Sequence, residues 1–183
     1  MATVNAGMAI SLDGFVADRS GSVARLSDPA QRRGTDYMNA LIEETGAVVL
    51  GKRSFEMAAD PDWYVGSYEF QVPIFVVTHQ PPEVMPKQDE HLTFTFVTDG
   101  VESALAGAKR AAGAKVVQVL GANVIQQALR TGLVDELEVD VFPILLGAGL
   151  RLFDDPGLEG VMLKKIGVRE IGAITNLRFQ VVK

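Results

Sequence analysis

Short apolar segments recur along the chain, and each is followed by turn residues or by a helical pattern. Four of them are residues 4–10, 47–50, 73–78 and 115–120, all rich in valine, isoleucine or leucine. Apolar runs of this length are typical of strands covered on both faces, as in a parallel sheet. Their order therefore predicts strands that alternate with helices.

Helical signals lie between these strands. From about Pro29 to Glu44, apolar side chains recur at spacings of three and four. Asp99 and Glu102 form a capping-box pattern before an alanine-rich stretch that ends at Gly113. This second pattern predicts a helix over about 101–112.

The last third of the chain has a different pattern. After a helix predicted over about 121–132, apolar and acidic residues alternate over 136–141, as in a strand with one wetter face near a sheet edge. Residues 161–168 and 174–182 predict a final antiparallel pair. The whole pattern predicts one α/β domain over residues 1–183, with a mostly parallel central sheet and C-terminal antiparallel strands.

Composition narrows the classes of function. The chain has 183 residues, 48% of them hydrophobic, and a formal net charge of −6. This charge argues against a nucleic-acid partner or an anionic membrane surface, and no apolar run is long enough to span a bilayer. The absence of cysteine excludes disulfides and thiol nucleophiles. We expect a cytoplasmic protein.

Two junctions between a strand and a helix suit phosphate groups. In the first, Gly51 is followed by Lys52, Arg53 and Ser54, which supply a close approach, two cations and a hydroxyl. In the second, a glycine turn runs from Leu120 through Ile125 and offers backbone N–H groups. Ordinary solvated turns explain either junction alone, but two junctions in one small sheet favour a nucleotide ligand.

Other candidates carry less chemistry. Thr78 and His79 end a middle strand, and residues 147–149 form a Gly-Ala-Gly turn that we interpret as structural. The two histidines, His79 and His91, make a histidine metal centre improbable, and there is no G-x-S-x-G elbow. Chemistry carried by a bound cofactor, such as hydride transfer, is the remaining class.

Several motifs together resemble a known family. They are the Ser-Leu-Asp-Gly turn at 11–14, the junctions at 49–56 and 119–125, and a long segment from Leu133 to Phe153 that contains Val-Asp-Glu-Leu and Pro-Ile-Leu-Leu-Gly-Ala-Gly. The chain resembles the dihydrofolate-reductase-like superfamily, and within it the C-terminal reductase domain of the bacterial riboflavin-biosynthesis deaminase-reductase. The resemblance implies a three-layer αβα fold, NADPH as cofactor and a homodimer.

The resemblance also implies positions for the cofactor. Its phosphates would lie near the first junction, its pyrophosphate and nicotinamide side near the second, its adenosine near the end of the middle strand, and the nicotinamide near the first loop. The residues concerned are Gly51, Lys52, Arg53 and Ser54; Leu120, Gly121, Ala122, Asn123, Val124 and Ile125; Thr78 and His79; and Ala9, Val16 and Ala17.

The substrate and the proton donor stay open at this point. Asp36 lies close to the position of the acidic residue that dihydrofolate reductases carry on their first helix, Asp13 is a second candidate if the first loop folds over the site, and water is a third proton source. Ile42 stands where riboflavin-type reductases have an arginine. The expected activity is hydride transfer to a small heterocycle, resembling 5-amino-6-(5-phosphoribosylamino)uracil reductase; the alternatives are a dihydrofolate reductase and a non-catalytic nucleotide-binding module.

Overall fold

An eight-stranded sheet forms the centre of the protein. The computed structural model describes residues 2–27 and 34–183. Ten strands are present in this part of the chain: β1 Val4–Ser11, β2 Phe15–Ala17, β3 Thr45–Gly51, β4 Ile74–Val77, β5 Phe94–Val97, β6 Val116–Leu120, β7 Glu136–Phe142, β8 Leu150–Arg151, β9 Met162–Ile171 and β10 Ile174–Val182. The large sheet has the order β5-β4-β3-β6-β1-β7-β10-β9, and β2 pairs with β8 separately.

The sheet is parallel from β5 to β7, whereas β10 runs antiparallel to both β7 and β9. The predicted α/β class, with a mostly parallel sheet and C-terminal antiparallel strands, is thereby confirmed. The apolar runs became central strands because both of their faces are covered. In β3, Val48 and Val49 point to opposite sides and neither is exposed. Burial of each such side chain contributes roughly 1.5–3 kcal/mol.

Helices cover both faces of the sheet. They are α1 Asp36–Glu44, α2 Lys52–Phe55, α3 Tyr64–Ser67, α4 Val101–Ala112 and α5 Ala122–Arg130. The apolar sides of α4 and α5 pack with β1, β3 and β6 in the larger core. A second core, rich in aromatic rings, joins α1, α2 and α3 to the other face of β3, β4 and β5. The result is the predicted three-layer arrangement.

One helix start and one helix cap differ from the predictions. The helix predicted from Pro29 begins at Asp36 within the described residues, because Thr35 is extended and its hydroxyl caps the Met38 N–H; positions 28–33 lie outside the described part. The predicted capping box is wrong as well. Gly100, with φ of 105°, is the N-cap of α4, and Asp99 instead accepts a hydrogen bond from Ser103.

Strand β7 departs from the expected wetter face. Its acidic residues Glu138 and Asp140 are buried, at 7% and 4% exposure. The strand lies between β1 and β10 rather than at the sheet edge, and amide side chains of those two strands take the place of water around the carboxylates. The predicted alternation of apolar and acidic residues is present in β7, but its acidic face is buried as well as its apolar face.

Candidate active site

The two predicted phosphate junctions lie side by side at the carboxyl edge of the sheet. Leu50 is in register with Leu120, so Gly51 and Gly121 follow adjacent strands at the same level. Gly51 is also in register with Val77, which precedes Thr78. In an open parallel sheet, this edge is where ligands bind. Three segments singled out from the sequence therefore form one continuous edge.

Direct contacts join the two junctions. Gly121 has φ of 94°, and a Cβ atom at this position would lie 2.6 Å from the Ser54 Oγ. A Cβ atom on Gly51 would lie 3.0 Å from the Val124 Cγ2. Each glycine thus lets the other junction approach its backbone. The absence of a side chain at both turns has a packing reason, and it also leaves backbone groups accessible at the strand ends.

The rest of the second junction presents its backbone rather than its side chains. Ala122, Val124 and Ile125 are buried in the core. Asn123 is exposed, and its Oδ1 accepts a hydrogen bond of 2.6 Å from the Gln127 Nε2. A ligand at this turn would therefore be held mainly by the N–H groups at the start of α5.

A cavity of about 200 Å³ adjoins the first junction. Lys52 and Thr78 both line it. Glu56 and Glu83 line it too, and neither was predicted. The Lys52 ammonium group forms an ion pair with Glu56, one helical turn along the chain. The spacing of four residues between Lys52 and Glu56 could have predicted this ion pair, because such residues are neighbours on a helix. The position of Glu83 depends on a proline-rich loop and has no such signal in the sequence.

The remaining residues of this end differ in exposure. Thr78 is buried, and its hydroxyl is hydrogen-bonded to the backbone of Gln80, which fixes the turn after β4. His79 and Arg53 are exposed. Neither of them lines the cavity, so the structure does not bring Arg53 and His79 together with Lys52 and Thr78 there.

The nicotinamide candidates lie at the start of the first loop. Ala6 is in register with Val119, so Ala9 reaches the level of the turn that begins α5. Val16 and Ala17 are buried in β2. The carbonyl oxygen of Ala17 lies so close to Gly149 that a Cβ atom there would be 1.9 Å from it. The Gly-Ala-Gly turn therefore packs against this loop, in agreement with a structural role.

Asp13 holds the same two loops together. Its carboxylate accepts hydrogen bonds from the Ser11 hydroxyl at 2.6 Å and from the N–H groups of Leu146 and Gly147 at 3.1 and 2.7 Å. The Ser11 hydroxyl, followed by these backbone donors, lowers the pKa of Asp13 to about 2. A carboxyl group with this pKa is ionised at neutral pH, and these contacts favour a holding role over proton donation.

Asp36 is exposed at the first position of α1. A carboxylate there stabilises the helix through the partial positive charge of its N-terminus. The catalytic roles of Asp36 and Asp13 stay predictions.

The model of one protein family matches nearly the whole chain. The model of the RibD C-terminal domain matches residues 2–177, which include the two junctions and the loops held by Asp13. The chain belongs to the RibD C-terminal domain family.

Similar proteins match the chain over nearly its full length. YwjB, an uncharacterized protein of Bacillus subtilis (strain 168), is 27% identical over 174 residues, 94% of each chain. A protein of Shewanella sp. PV-4 provisionally assigned to riboflavin biosynthesis has a TM-score of 0.77 and 23% identity, covering 100% of both chains. The Saccharomyces cerevisiae riboflavin biosynthesis reductase Rib7 has a TM-score of 0.63 and 17% identity, covering 100% of this chain and 89% of its own.

Dihydrofolate reductase from Enterococcus faecalis, complexed with NADP(H), also shares the fold, with a TM-score of 0.64, 16% identity and coverage of 99% and 97%. The predicted dihydrofolate-reductase-like fold is confirmed. Among the described residues of this RibD-type domain, no helix is long and apolar enough to cross a membrane. Within the same residues, no group of three or more histidine, aspartate or glutamate side chains is arranged to hold a metal ion.

Proposed function

We propose that the protein is a reductase that binds NADPH along the carboxyl edge of its sheet and transfers hydride to a C=N or C=O bond of a small heterocycle. The observation that carries the proposal is the contact between Ser54 and Gly121, because it joins two strand-end turns into one surface beside the cavity that Lys52 and Thr78 line. Family membership and the reductases among the structural neighbours support it.

The residues present fit a phosphorylated nucleotide. Lys52, which is paired with Glu56, and Arg53 offer two cations in a chain with a net charge of −6, and Ser54 adds a hydroxyl. A charge-assisted hydrogen bond to phosphate is the strongest contact such a site makes. When bound, the nicotinamide supplies hydride. The chain itself positions the ring near Ala9 and keeps the loop of Val16 and Ala17 packed over that end.

The proposal extends to the class of substrate and to the proton donor. One structural neighbour is a 5-amino-6-(5-phosphoribosylamino)uracil reductase, and we propose a related heterocycle here. Ile42 at the position of an arginine in riboflavin-type reductases favours a substrate with less charge on that side. Asp36 is the proposed proton donor, since Asp13 is tied to the neighbouring loop. We place the protein in the cytoplasm, with no nucleic-acid or membrane partner.

A fluorescence titration with NADPH and with NADH tests the cofactor. The protein is compared with Lys52→Ala/Arg53→Ala and with Arg110→Ala, which removes an exposed cation from α4 on the other face of the sheet. Losing charge-assisted contacts to a phosphate costs roughly 1.5–3 kcal/mol each, or about 10-fold or more in Kd. We expect the double variant to bind NADPH as weakly as NADH, and Arg110→Ala to bind like the parent protein.

Two results would contradict the proposal in different ways. If neither nucleotide binds, the proposed reductase activity is overturned. Equal binding of NADPH and NADH by the parent protein would leave a reductase but overturn the phosphate site at Lys52 and Arg53. If the cofactor binds, oxidation is then followed with pyrimidine and pterin acceptors, and a complete lack of turnover would leave a nucleotide-binding module.

A further inference from the structure

The Lys52 ammonium group already has an acidic partner in the cavity beside the first junction. It forms an ion pair with the Glu56 carboxylate, and both side chains line the cavity together with Glu83. Among the described residues that line it, Lys52 is the only cation. Before any ligand binds, the cavity therefore has two carboxylates against one ammonium group.

The backbone keeps Lys52 and Glu56 one helical turn apart. The Glu56 N–H group donates to the Lys52 carbonyl group at 2.9 Å, which closes the single turn of α2. The Phe55 ring is buried in the aromatic core, and the Tyr64 hydroxyl donates to the Phe55 carbonyl group at 3.1 Å. Because this turn is anchored on the core, Glu56 remains a neighbour of Lys52 when a ligand approaches.

The two side chains of this ion pair are open to solvent. The exposed fraction is 51% for the Lys52 side chain and 53% for the Glu56 side chain. Ion pairs between exposed side chains contribute little to stability, because water screens them and because two long side chains must be held in one geometry. Charge-assisted hydrogen bonds from an ammonium group to a phosphate are stronger. A phosphate group can therefore displace Glu56 from Lys52.

We propose that Glu56 competes with the 2′-phosphate of NADPH for Lys52 and thereby reduces the preference of the protein for NADPH over NADH. The inference rests on the proposed cofactor function and names one residue that determines its specificity. A phosphate monoester carries a charge of about −1.5 to −2 at neutral pH, so it repels the Glu56 carboxylate and also takes its partner. NADH has no 2′-phosphate, and its binding should not depend on Glu56.

A holding role for Glu56 is the alternative, in which its carboxylate keeps the flexible Lys52 side chain in the position that the phosphate needs. The charges of the cavity favour competition. Glu83 adds a second carboxylate, so a phosphate that enters meets more negative than positive charge. The two roles predict opposite changes in NADPH affinity when the charge of Glu56 is removed.

The change Glu56→Gln removes this charge and keeps the shape of the side chain. We expect the Kd for NADPH to fall by about threefold to tenfold at low ionic strength, and the Kd for NADH to change by less than about twofold. Fluorescence titration with both nucleotides measures the two values. Glu102→Gln, the same change at an exposed residue of α4 on the other face of the sheet, is the matched control and should leave both values unchanged.

A double-mutant cycle shows whether Glu56 acts through Lys52. The gain in NADPH affinity from Glu56→Gln is measured again in a Lys52→Ala background, in which the ammonium group is absent. We expect the gain to shrink to less than about twofold there. A structural effect of Glu56→Gln would instead change the affinities for NADPH and NADH alike, in both backgrounds.

Four outcomes would overturn the inference. If the parent protein and Glu56→Gln bind NADPH equally, there is no competition, and the proposed cofactor site is unaffected. Weaker NADPH binding by Glu56→Gln would show that Glu56 orients Lys52 for the phosphate. An equal gain in the Lys52→Ala background would assign the effect to the overall charge of the cavity. Absence of binding of either nucleotide to all of these proteins would overturn the proposed reductase together with the competition.

Discussion

Asp13 connects two loops that are far apart in the sequence. Its carboxylate joins Ser11, at the end of β1, to the backbone of Leu146 and Gly147, which follow β7. Because these hydrogen bonds are made to the ionised form, they lower the pKa of Asp13 to about 2. The stabilisation that they provide is present in full above the ordinary pKa of 3.8 and is lost as the pH falls through about 2.

The change Asp13→Asn tests this holding role. An amide of the same shape cannot accept from all three donors, because its NH₂ group meets donors itself. We expect the melting temperature at pH 7 to fall by roughly 2–5 °C, and the difference from the parent protein to shrink below about pH 4. Thermal unfolding followed by circular dichroism across pH gives both values. Glu159→Gln, the corresponding change at an exposed carboxylate outside the helices and strands, should have little effect; equal losses in the two variants would contradict the role of Asp13.

Individual residues were predictable where their chemistry is local. Ser54 and Gly121 both follow strand ends, and this feature of the sequence predicted them as candidate site residues. The structure adds that the two residues are in contact. Glu138 and Asn5 were not identified, because each looks ordinary along the chain. Their importance comes from register between distant strands, which puts buried amides beside a buried carboxylate. A one-dimensional pattern carries no information about such neighbours.

At the scale of elements, β2 and β8 form a small ribbon beside the end of β1. Gly149, just before β8, has φ of 141° and lies against the carbonyl group of Ala17. The close approach involves backbone atoms, which have little freedom to move. The ribbon therefore depends on the absence of a side chain at this one position.

We expect Gly149→Ala to lower the free energy of unfolding by roughly 2–4 kcal/mol, because the new methyl group overlaps with backbone and the φ value disfavours alanine. Urea denaturation measures the change. Gly167→Ala is the matched control, since the nearest atom to a Cβ there is the Arg178 Cβ at 3.7 Å, an ordinary contact. A stability of Gly149→Ala equal to that of the control would show that the two loops can separate without cost.

Most strands could be predicted because burial on two faces leaves a continuous apolar run, as in β3 and β6. Strand β5 was missed, since Phe94 and Phe96 alternate with threonine over only four residues after a proline-containing loop. The bounds of α4 agree with the predicted 101–112, but its cap does not: Gly100 takes the N-cap position that the capping-box pattern assigned to Asp99. Short elements and helix ends depend on neighbours that sequence periodicity does not report.

At the scale of the whole molecule, the sheet ends in a long exposed strand. β9 has ten residues and, within residues 2–27 and 34–183, pairs only with β10, so no described strand covers its outer backbone edge. Met162, Ile166 and Val168 on this strand are 64%, 46% and 57% exposed. A long edge strand with apolar side chains is a template for pairing with another chain. A second copy of this chain fits it, because antiparallel pairing centred on Gly167 would place Lys164 opposite Glu170 and Ile166 opposite Val168.

We therefore expect a homodimer through β9, with twice the 19.7 kDa mass of one chain in multi-angle light scattering. Val168→Lys would place a charge at the centre of the pairing and should give the single-chain mass at the same concentration. Val84→Lys makes the same change at a side chain that is 82% exposed outside this strand, and it should remain a dimer. A single-chain mass for the parent protein would show that it is not a dimer. A dimeric mass for Val168→Lys would show that the dimer interface lies on a surface other than β9.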